Sequence, residues 1–191
     1  MKIPIEISAR HMHISEKDFK KLFGEKIKLS LLKKLSQKGE FASDKIIEIT
    51  NGKQKLNARI IGPFRENSQI EISFTDAHNL KLNNLPKVRV SGDLKNATKV
   101  LVRGPKGKLK IPCIIAQRHL HCSEEEAKKL KIKNNQLIKI KTSGERGIIF
   151  ENVIVRVKPT FRLSFQIDTD EGNAAGIIKK TFGEIIKWNK S

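Results

Sequence analysis

Apolar and polar residues alternate along most of the chain, which is the pattern of β-strands with one buried face. Turn residues, in clusters such as NG, GPKG and SGE, separate these stretches from one another. Short strands at even spacing are typical of barrels and sandwiches, so the pattern predicts a mainly β fold. The predicted strands cover residues 45–50, 57–62, 69–74, 87–92, 99–104, 136–141, 147–157 and 161–168.

Few segments have the pattern of helices. Ser15 and Ser123 each precede an acidic turn that is followed by lysines, which predicts two short helices with a serine N-cap and charges suited to the helix dipole. A third short helix is predicted over residues 75–80. The segment 26–43 is polar and irregular, and we interpret it as a small excursion between elements.

The C-terminal stretch also has a helical pattern. Between residues 174 and 188, the apolar side chains on or near one helical face are Ile177, Ile178, Phe182, Ile185 and Ile186. We therefore predict a C-terminal helix or tail over 174–191, which either packs on its own domain or docks on a partner.

An internal repeat is the strongest feature of the sequence. Residues 2–22 read KIPIEISARHMHISEKDFKKL, and residues 110–130 read KIPCIIAQRHLHCSEEEAKKL, so the two copies align without a gap. Each copy predicts a strand, a His-x-His pair and a capped helix. The copies start 108 residues apart, which is too long for a solenoid repeat and indicates a duplicated domain.

The bulk composition is that of a globular protein. Of the 191 residues, 38% are hydrophobic and 31% are charged, which is ordinary for this class. No apolar run approaches the roughly 20 residues of a membrane helix, and the N-terminus lacks the apolar core of a signal peptide. We therefore expect a cytoplasmic protein with no membrane partner.

The net charge of +19 at pH 7 points to an anionic partner or to a basic surface. The positive residues are mostly lysines spread along the chain, so a solvated lysine-rich surface, an anionic small substrate and a nucleic acid are three interpretations. Tyr is absent and Trp occurs once, so platforms for stacking bases are scarce and nucleic acid is the least favoured.

The repeated histidine pairs are the main candidates for chemistry. Side chains at positions i and i+2 of a strand share one face, so His11 and His13 can bind one zinc ion, and so can His119 and His121. The alternative is two pairs of surface or capping imidazoles kept by duplication. Four of the five histidines fall in two copies of one motif, which favours a metal site.

A third ligand is expected from another strand. The stretches QIEISFTDA and FQIDTDEGNA occupy corresponding late positions in the two halves, and allowing one inserted residue aligns Glu71 with Gln166. Glu71 suits zinc, although an exposed strand carboxylate is the alternative, and Gln166 is a poor ligand.

Arginines near these motifs are candidates for anion binding. Arg65 follows a Gly-Pro turn near Glu71 and suits a phosphate, although a surface arginine is the alternative. Arg10 and Arg118 precede the two histidine pairs and serve as structural or anion contacts. The sequence has no P-loop, GxSxG or Rossmann glycine pattern.

The two cysteines, Cys113 and Cys122, do not make a disulfide framework and are expected to be reduced thiols. Cys122 directly follows His121, so it is a nucleophile, a zinc ligand or a buried thiol. Because no adjacent group activates it, a buried thiol is favoured.

Eight motifs follow one another along the chain: ARHMHIS, LSQKGEFAS, ARIIGPFRENSQIEISFTDA, SGDLKNA, VRGPKG, AQRHLHCS, SGERGIIFENVIVRV and QIDTDEGNAAG. In this order and spacing they resemble the PduL-type phosphate acyltransferases (phosphate propanoyltransferases) almost end to end. The resemblance implies two β-barrels capped by short helices, with the active site between them. One barrel would take residues 1–9 with 117–186, and the central barrel would take 10–116 with the excursion near 26–43.

The resemblance also implies two zinc ions per chain. One would be bound by His11, His13 and Glu71, and the other by His119, His121 and a third histidine, whose position is taken here by Gln166. Because an amide oxygen binds zinc weakly, water, Cys122 or a neighbouring group would complete this second site, or its ion would be labile. The implied phosphate-binding residue is Arg65, and the implied contacts to coenzyme A are Ser8, Arg59 and Asn173.

The implied reaction converts a short-chain acyl-CoA and phosphate into acyl phosphate and coenzyme A. The rivals are a zinc-dependent hydrolase, a basic nucleic-acid-binding barrel protein and a degenerate family member retained as a scaffold.

Some family members carry an N-terminal extension that directs them into bacterial microcompartments, and this chain starts too close to its first strand for one. A homo-oligomer and a microcompartment shell partner are both compatible with the resemblance.

Overall fold

The computed structural model describes residues 1–186, and in it the chain divides into two compact units. The terminal unit comprises Met1–Ser8 and the chain from Gln117 onward, and the central unit comprises Ala9–Ala116. Within the described residues, no helix has both the length and the apolar character needed to cross a membrane.

Residues 1–186 form fourteen strands and four short helices. The strands are β1 Ile3–Ile7, β2 His11–His13, β3 Leu31–Lys34, β4 Phe41–Thr50, β5 Lys55–Gly62, β6 Gln69–Glu71, β7 Val88–Arg89, β8 Thr98–Arg103, β9 Lys108–Ala116, β10 His119–Cys122, β11 Leu137–Thr142, β12 Ile149–Val157, β13 Ser164–Ile167 and β14 Thr181–Ile186. The helices are α1 Glu16–Phe23, α2 Phe74–Asn79, α3 Glu124–Leu130 and α4 Thr169–Ala174.

Each unit contains a closed ring of six strands. In the terminal unit the ring runs β1-β13-β10-β12-β11-β14 and returns to β1. In the central unit it runs β4-β5-β2-β6-β9-β8 and returns to β4, while β3 and β7 add to the outside of β4 and β9. Closure removes the unpaired edges that open sheets expose.

The two rings have the same pairing scheme, as the duplication predicts. The His-bearing strands β2 and β10 each lie between one parallel neighbour, β5 or β12, and one antiparallel neighbour, β6 or β13. The strand that precedes each histidine pair belongs to the other unit's ring, because β1 lies in the terminal unit and β9 lies in the central unit. This architecture confirms the predicted mainly β fold of two barrels with short helices.

The alternation of the strands fills the barrel interiors. On β2 the side chain of Met12 points into the central core and is fully buried, and on β10 Leu120 does the same in the terminal core. The helices begin where the sequence predicts, because the hydroxyls of Ser15 and Ser123 accept hydrogen bonds from the backbone N–H of Asp18 and Glu126.

The predicted C-terminal helix over 174–188 is wrong. Helix α4 ends at Ala174, and the following chain forms β14, which closes the terminal barrel between β1 and β11. A side chain at Gly183 would place its Cβ 2.5 Å from Ile140 Cγ2, so the close approach of these strands requires glycine there. Residues 187–191 of the predicted tail lie outside the described residues.

Three other predictions need correction. The excursion 26–43 contains β3, whose four residues are all exposed; with no buried face it shows no alternation in the sequence. The predicted strand 69–74 ends at Glu71, because Ser73 starts α2 with a capping box. The predicted strand 87–92 is only two residues long.

Candidate metal centre

The first histidine pair lies on β2, between β5 and β6. His11 stands directly opposite Glu71 on β6, and His13 stands opposite Gln69. Met12 points into the barrel, so the two imidazoles point to the opposite, outward face of the strand. The register of β2 and β6 therefore brings two imidazoles and one carboxylate to one face.

These three side chains converge. His11 Nε2 lies 3.1 Å from His13 Nε2 and 3.5 Å from Glu71 Oε2. His13 Nε2 lies 3.8 Å from Glu71 Oε1. Two nitrogens bound tetrahedrally to one zinc ion stand about 3.3 Å apart. Among residues 1–186, this is the one cluster of three His, Cys, Asp or Glu side chains whose ligand atoms lie within 4.8 Å of one another. The geometry fits a zinc ion.

The hydrogen bond of His11 and the lowered pKa of His13 also suit a bound cation. His11 Nδ1 donates a hydrogen bond of 2.9 Å to the carbonyl of Ala9, which leaves the lone pair on Nε2 facing the cluster. Burial, and then the neighbouring His11, lower the pKa of His13 well below its usual value, while Glu71 acts in the opposite direction. Neutral imidazole is the form that binds a metal.

A second layer of side chains fixes the Glu71 carboxylate. Its Oε1 accepts a hydrogen bond of 2.7 Å from Ser91 Oγ and another from the amide of Gln69. The Gln69 carbonyl oxygen in turn accepts a bond of 3.0 Å from the backbone of Gly92. Sequence reasoning missed both residues: Gln69 has the signal of sharing a strand face with Glu71, whereas Ser91 lies in a turn and has none.

Arg65 lies at the rim of this cluster. Its Nη1 lies 3.4 Å from Ser91 Oγ, and its Nη2 lies 3.1 Å from Glu40 Oε1. The guanidinium also lowers the pKa of His13 through its charge. With 37% of its side chain exposed, Arg65 joins the cluster through Ser91 and can still be reached by an anion from solvent.

The second histidine pair lies on β10 of the terminal unit. His119 Nδ1 donates to the carbonyl of Gln117 at 2.9 Å, which repeats the arrangement of His11, and the rings of His119 and His121 lie 4.5 Å apart. Gln166 stands directly opposite His119, as Glu71 stands opposite His11. Gln166 Nε2 donates to Glu6 Oε2 and, at 3.0 Å, to Ser164 Oγ.

Cys122 lies on the core side of β10. It is fully buried among the apolar residues of the terminal barrel, on the strand face opposite to His119 and His121. Burial raises the pKa of its thiol to about 11, and burial also raises the pKa of Cys113. This fits the buried-thiol interpretation and rules out Cys122 as a ligand beside the histidines.

The residues assigned to coenzyme A by resemblance fall in different units. Arg59 lies on β5 of the central unit, beside His11 in the strand register. Its Nη1 donates a hydrogen bond of 2.7 Å to the carbonyl of Ser43. Ser8 follows β1 of the terminal unit, where its N–H donates to Ile167. Asn173 is exposed on α4 of the same unit. Their role stays a prediction.

Arg10 and Arg118 make equivalent ion pairs in the two units. Arg10 pairs at 2.7 Å with Asp76, and Arg118 pairs at 2.6 Å with Glu171. Both acids are the N3 members of capping boxes, on α2 and α4 respectively. Each arginine therefore anchors the helix that follows the strand opposite its histidine pair.

Replacing Arg118 with alanine should destabilise the protein by about 1–2 kcal/mol at pH 8 and by less at pH 4. Burial raises the pKa of Glu171, and Arg118 lowers it. Arg118 therefore offsets the free-energy cost of burying the Glu171 carboxylate, which exists only while Glu171 is ionised. A raised pKa of an acid means that stability falls as pH rises through it, and removing Arg118 steepens that fall. Urea unfolding at the two pH values measures the difference.

The control is Arg103→Ala, which removes an exposed arginine 3.7 Å from Glu48. It should change the free energy of unfolding by no more than a few tenths of a kcal/mol at either pH, because an exposed ion pair at this distance contributes little. An equal loss at pH 4 and pH 8 in Arg118→Ala would show that packing, and not charge, explains the contact.

Known proteins of one family are similar to this chain over most of its length. The family model for phosphate propanoyltransferases matches residues 4–178. The chain is 39% identical over 190 residues to the phosphate propanoyltransferase of Alkaliphilus metalliredigens, covering 98% of this chain and 89% of the relative. It is 40% identical to those of Thermotoga maritima and Salmonella typhimurium, covering 91% of this chain and 83% of each relative. The chain therefore belongs to the phosphate propanoyltransferase family.

Proposed function

We propose that this chain transfers a short acyl group between coenzyme A and phosphate at a zinc centre held by His11, His13 and Glu71. The observation that carries the proposal is the convergence of their three buried ligand atoms beside Arg65. Two imidazoles and one carboxylate are the ligand set of catalytic zinc sites that keep a position open for substrate. A bound zinc ion would supply positive charge to bind and orient an anionic substrate.

The side chains around this centre favour phosphate over water as the second substrate. Arg65 presents a planar fork of N–H donors, which matches two oxygens of one phosphate. Its present partners, Ser91 and Glu40, lie 3.4 and 3.1 Å away at a half-exposed rim, so an incoming anion can replace them. Ser91 contacts both Arg65 and Glu71, so it holds the anion-binding guanidinium at a fixed position relative to the metal-binding carboxylate.

The reaction needs no covalent enzyme intermediate. A phosphate oxygen attacks the thioester carbonyl carbon, the new C–O bond forms, and the C–S bond breaks. The phosphate gives up a proton as it is acylated, and the sulfur leaves as a thiolate that takes up a proton, which yields acyl phosphate and coenzyme A. Both cysteines are buried thiols with raised pKa, which argues against a cysteine nucleophile and supports direct attack.

His119 and His121 are proposed to hold a second zinc ion. The shared orientation of His11 and His119 by a backbone carbonyl two residues earlier supports this role. Ser8, Arg59 and Asn173 are proposed contacts of coenzyme A, on the sequence resemblance. The acyl group is proposed to be acetyl or propanoyl, which differ by one methylene and are separated by only about 1–3 kcal/mol in a pocket.

Product analysis separates this function from hydrolysis. With propanoyl-CoA as substrate, release of the free thiol should depend on phosphate, and the purified chain should also form a thioester from propanoyl phosphate and coenzyme A. A hydrolase would release thiol equally without phosphate and would form no thioester in the reverse direction. That outcome would exclude the proposed transfer.

A further inference from the structure

The two barrels place their carboxylates differently. In the central barrel one row of outward positions across neighbouring strands is Ile114, Glu71 and His11. In the terminal barrel the equivalent row is Glu6, Gln166 and His119. In the central barrel the carboxylate of Glu71 lies on the strand next to the histidine. In the terminal barrel Gln166 takes that position, and the carboxylate of Glu6 lies one strand further away.

We propose that Glu6 is the anionic ligand of the second zinc site, with His119 and His121, and that Gln166 is a positioning residue that orients Glu6. This inference rests on the proposed zinc-dependent function. It gives both barrels the same ligand types, two imidazoles and one carboxylate. Without Glu6, the ion would be offered only two imidazoles and an amide, and an amide oxygen binds zinc weakly.

The contacts of Gln166 support this assignment. Its Nε2 donates to Glu6 Oε2 and to Ser164 Oγ, so the amide holds the carboxylate on the face of the barrel that carries the histidines. Ligand carboxylates in metal sites are commonly held by such a donor. The position therefore keeps a role in the site although its own side chain is a poor zinc ligand.

The distance across the row can be bridged. Glu6 and His119 are separated by two strand spacings, or about 9.6 Å. Each side chain reaches about 4–5 Å from its Cα, and the two metal bonds add about 2 Å each. Among the described residues, these ligand atoms do not converge as closely as those of His11, His13 and Glu71. Zinc binding therefore requires the Glu6 carboxylate to turn towards the imidazoles.

Zinc content and affinity test the inference. The full chain is loaded with zinc, equilibrated with a mild chromophoric chelator, and its metal is counted by mass spectrometry. The wild type should hold two zinc ions per chain, and Glu6→Gln should hold one, with the affinity of the lost site lowered about 100-fold or more. Gln166→Ala should weaken the same site by about 10-fold and keep it measurable. Gln166→His should restore the second zinc when combined with Glu6→Gln.

Control variants separate ligand loss from misfolding. Glu184→Gln changes an exposed carboxylate on β14, the other neighbour of β1, and should leave both zinc ions bound. Glu6→Asp keeps the charge and should retain the second zinc at reduced affinity, with an unchanged circular dichroism spectrum. Two zinc ions at wild-type affinity in Glu6→Gln would overturn the inference.

The wild-type count distinguishes this inference from the proposed function. A wild type with a single zinc ion that His11→Ala removes would overturn the role of Glu6 and leave the proposed centre intact. A wild type that binds no zinc would overturn both.

Discussion

Replacing His11 with alanine should remove the zinc ion of the central unit and lower the rate of acyl transfer by about 10³-fold or more. His11 provides one of two imidazole nitrogens that lie 3.1 Å apart, and Glu71 lies 3.5 Å from it. One imidazole and one carboxylate are too few ligands for a stable site. Zinc content by metal mass spectrometry and phosphate-dependent thiol release should therefore fall together.

His78→Ala is the matched control for this variant. His78 is the one histidine outside the two pairs and lies exposed on α2 of the same unit. Its loss should leave zinc content and activity at the wild-type level. Full zinc occupancy in His11→Ala, with normal activity, would remove His11 from the ligand set.

Replacing Arg65 with lysine should raise the Michaelis constant for phosphate about 10-fold and also lower turnover. Lysine keeps the positive charge but cannot present two parallel N–H donors, and the contacts to Ser91 and Glu40 show that Arg65 uses both terminal nitrogens. The Michaelis constant for acyl-CoA should change much less. Steady-state kinetics with phosphate varied at saturating acyl-CoA measure the effect.

Arg103→Lys provides the comparison, since Arg103 is a more exposed arginine of the same unit and pairs with Glu48. Its kinetics should match those of the wild type. Unchanged phosphate kinetics in Arg65→Lys would make Arg65 a surface residue that stabilises only its neighbours.

Sequence reasoning located the strands and the histidine pairs because both depend on local patterns. The two-residue period of apolar positions predicts β4, β5, β8, β11, β12 and β13. The ungapped repeat aligns His11 with His119. The alignment of Glu71 with Gln166 needed one inserted residue, and the strand register places these two residues at equivalent positions opposite His11 and His119.

The missed features depend on contacts between distant parts of the chain. Ser91 reaches Glu71 across twenty positions and Glu6 reaches Gln166 across 160, so no local pattern could reveal either pair. The C-terminal strand has the pattern of a helix because Phe182, Ile185 and Ile186 recur at helical spacing, while Gly183 takes a buried position and interrupts any alternation. Barrel closure between β1 and β11 decides in favour of a strand, and closure is a property of the whole unit.

Zinc titration of the metal-free chain tests whether acyl transfer depends on the zinc centre of His11, His13 and Glu71. The protein is stripped with a strong chelator, zinc is added back in steps, and phosphate-dependent release of coenzyme A is followed at each step. We expect no transfer without metal and full recovery on zinc addition in the wild type, with no recovery in a Glu71→Gln variant. Full phosphate-dependent transfer by the stripped protein, at verified zero zinc content, would show that the reaction does not need zinc.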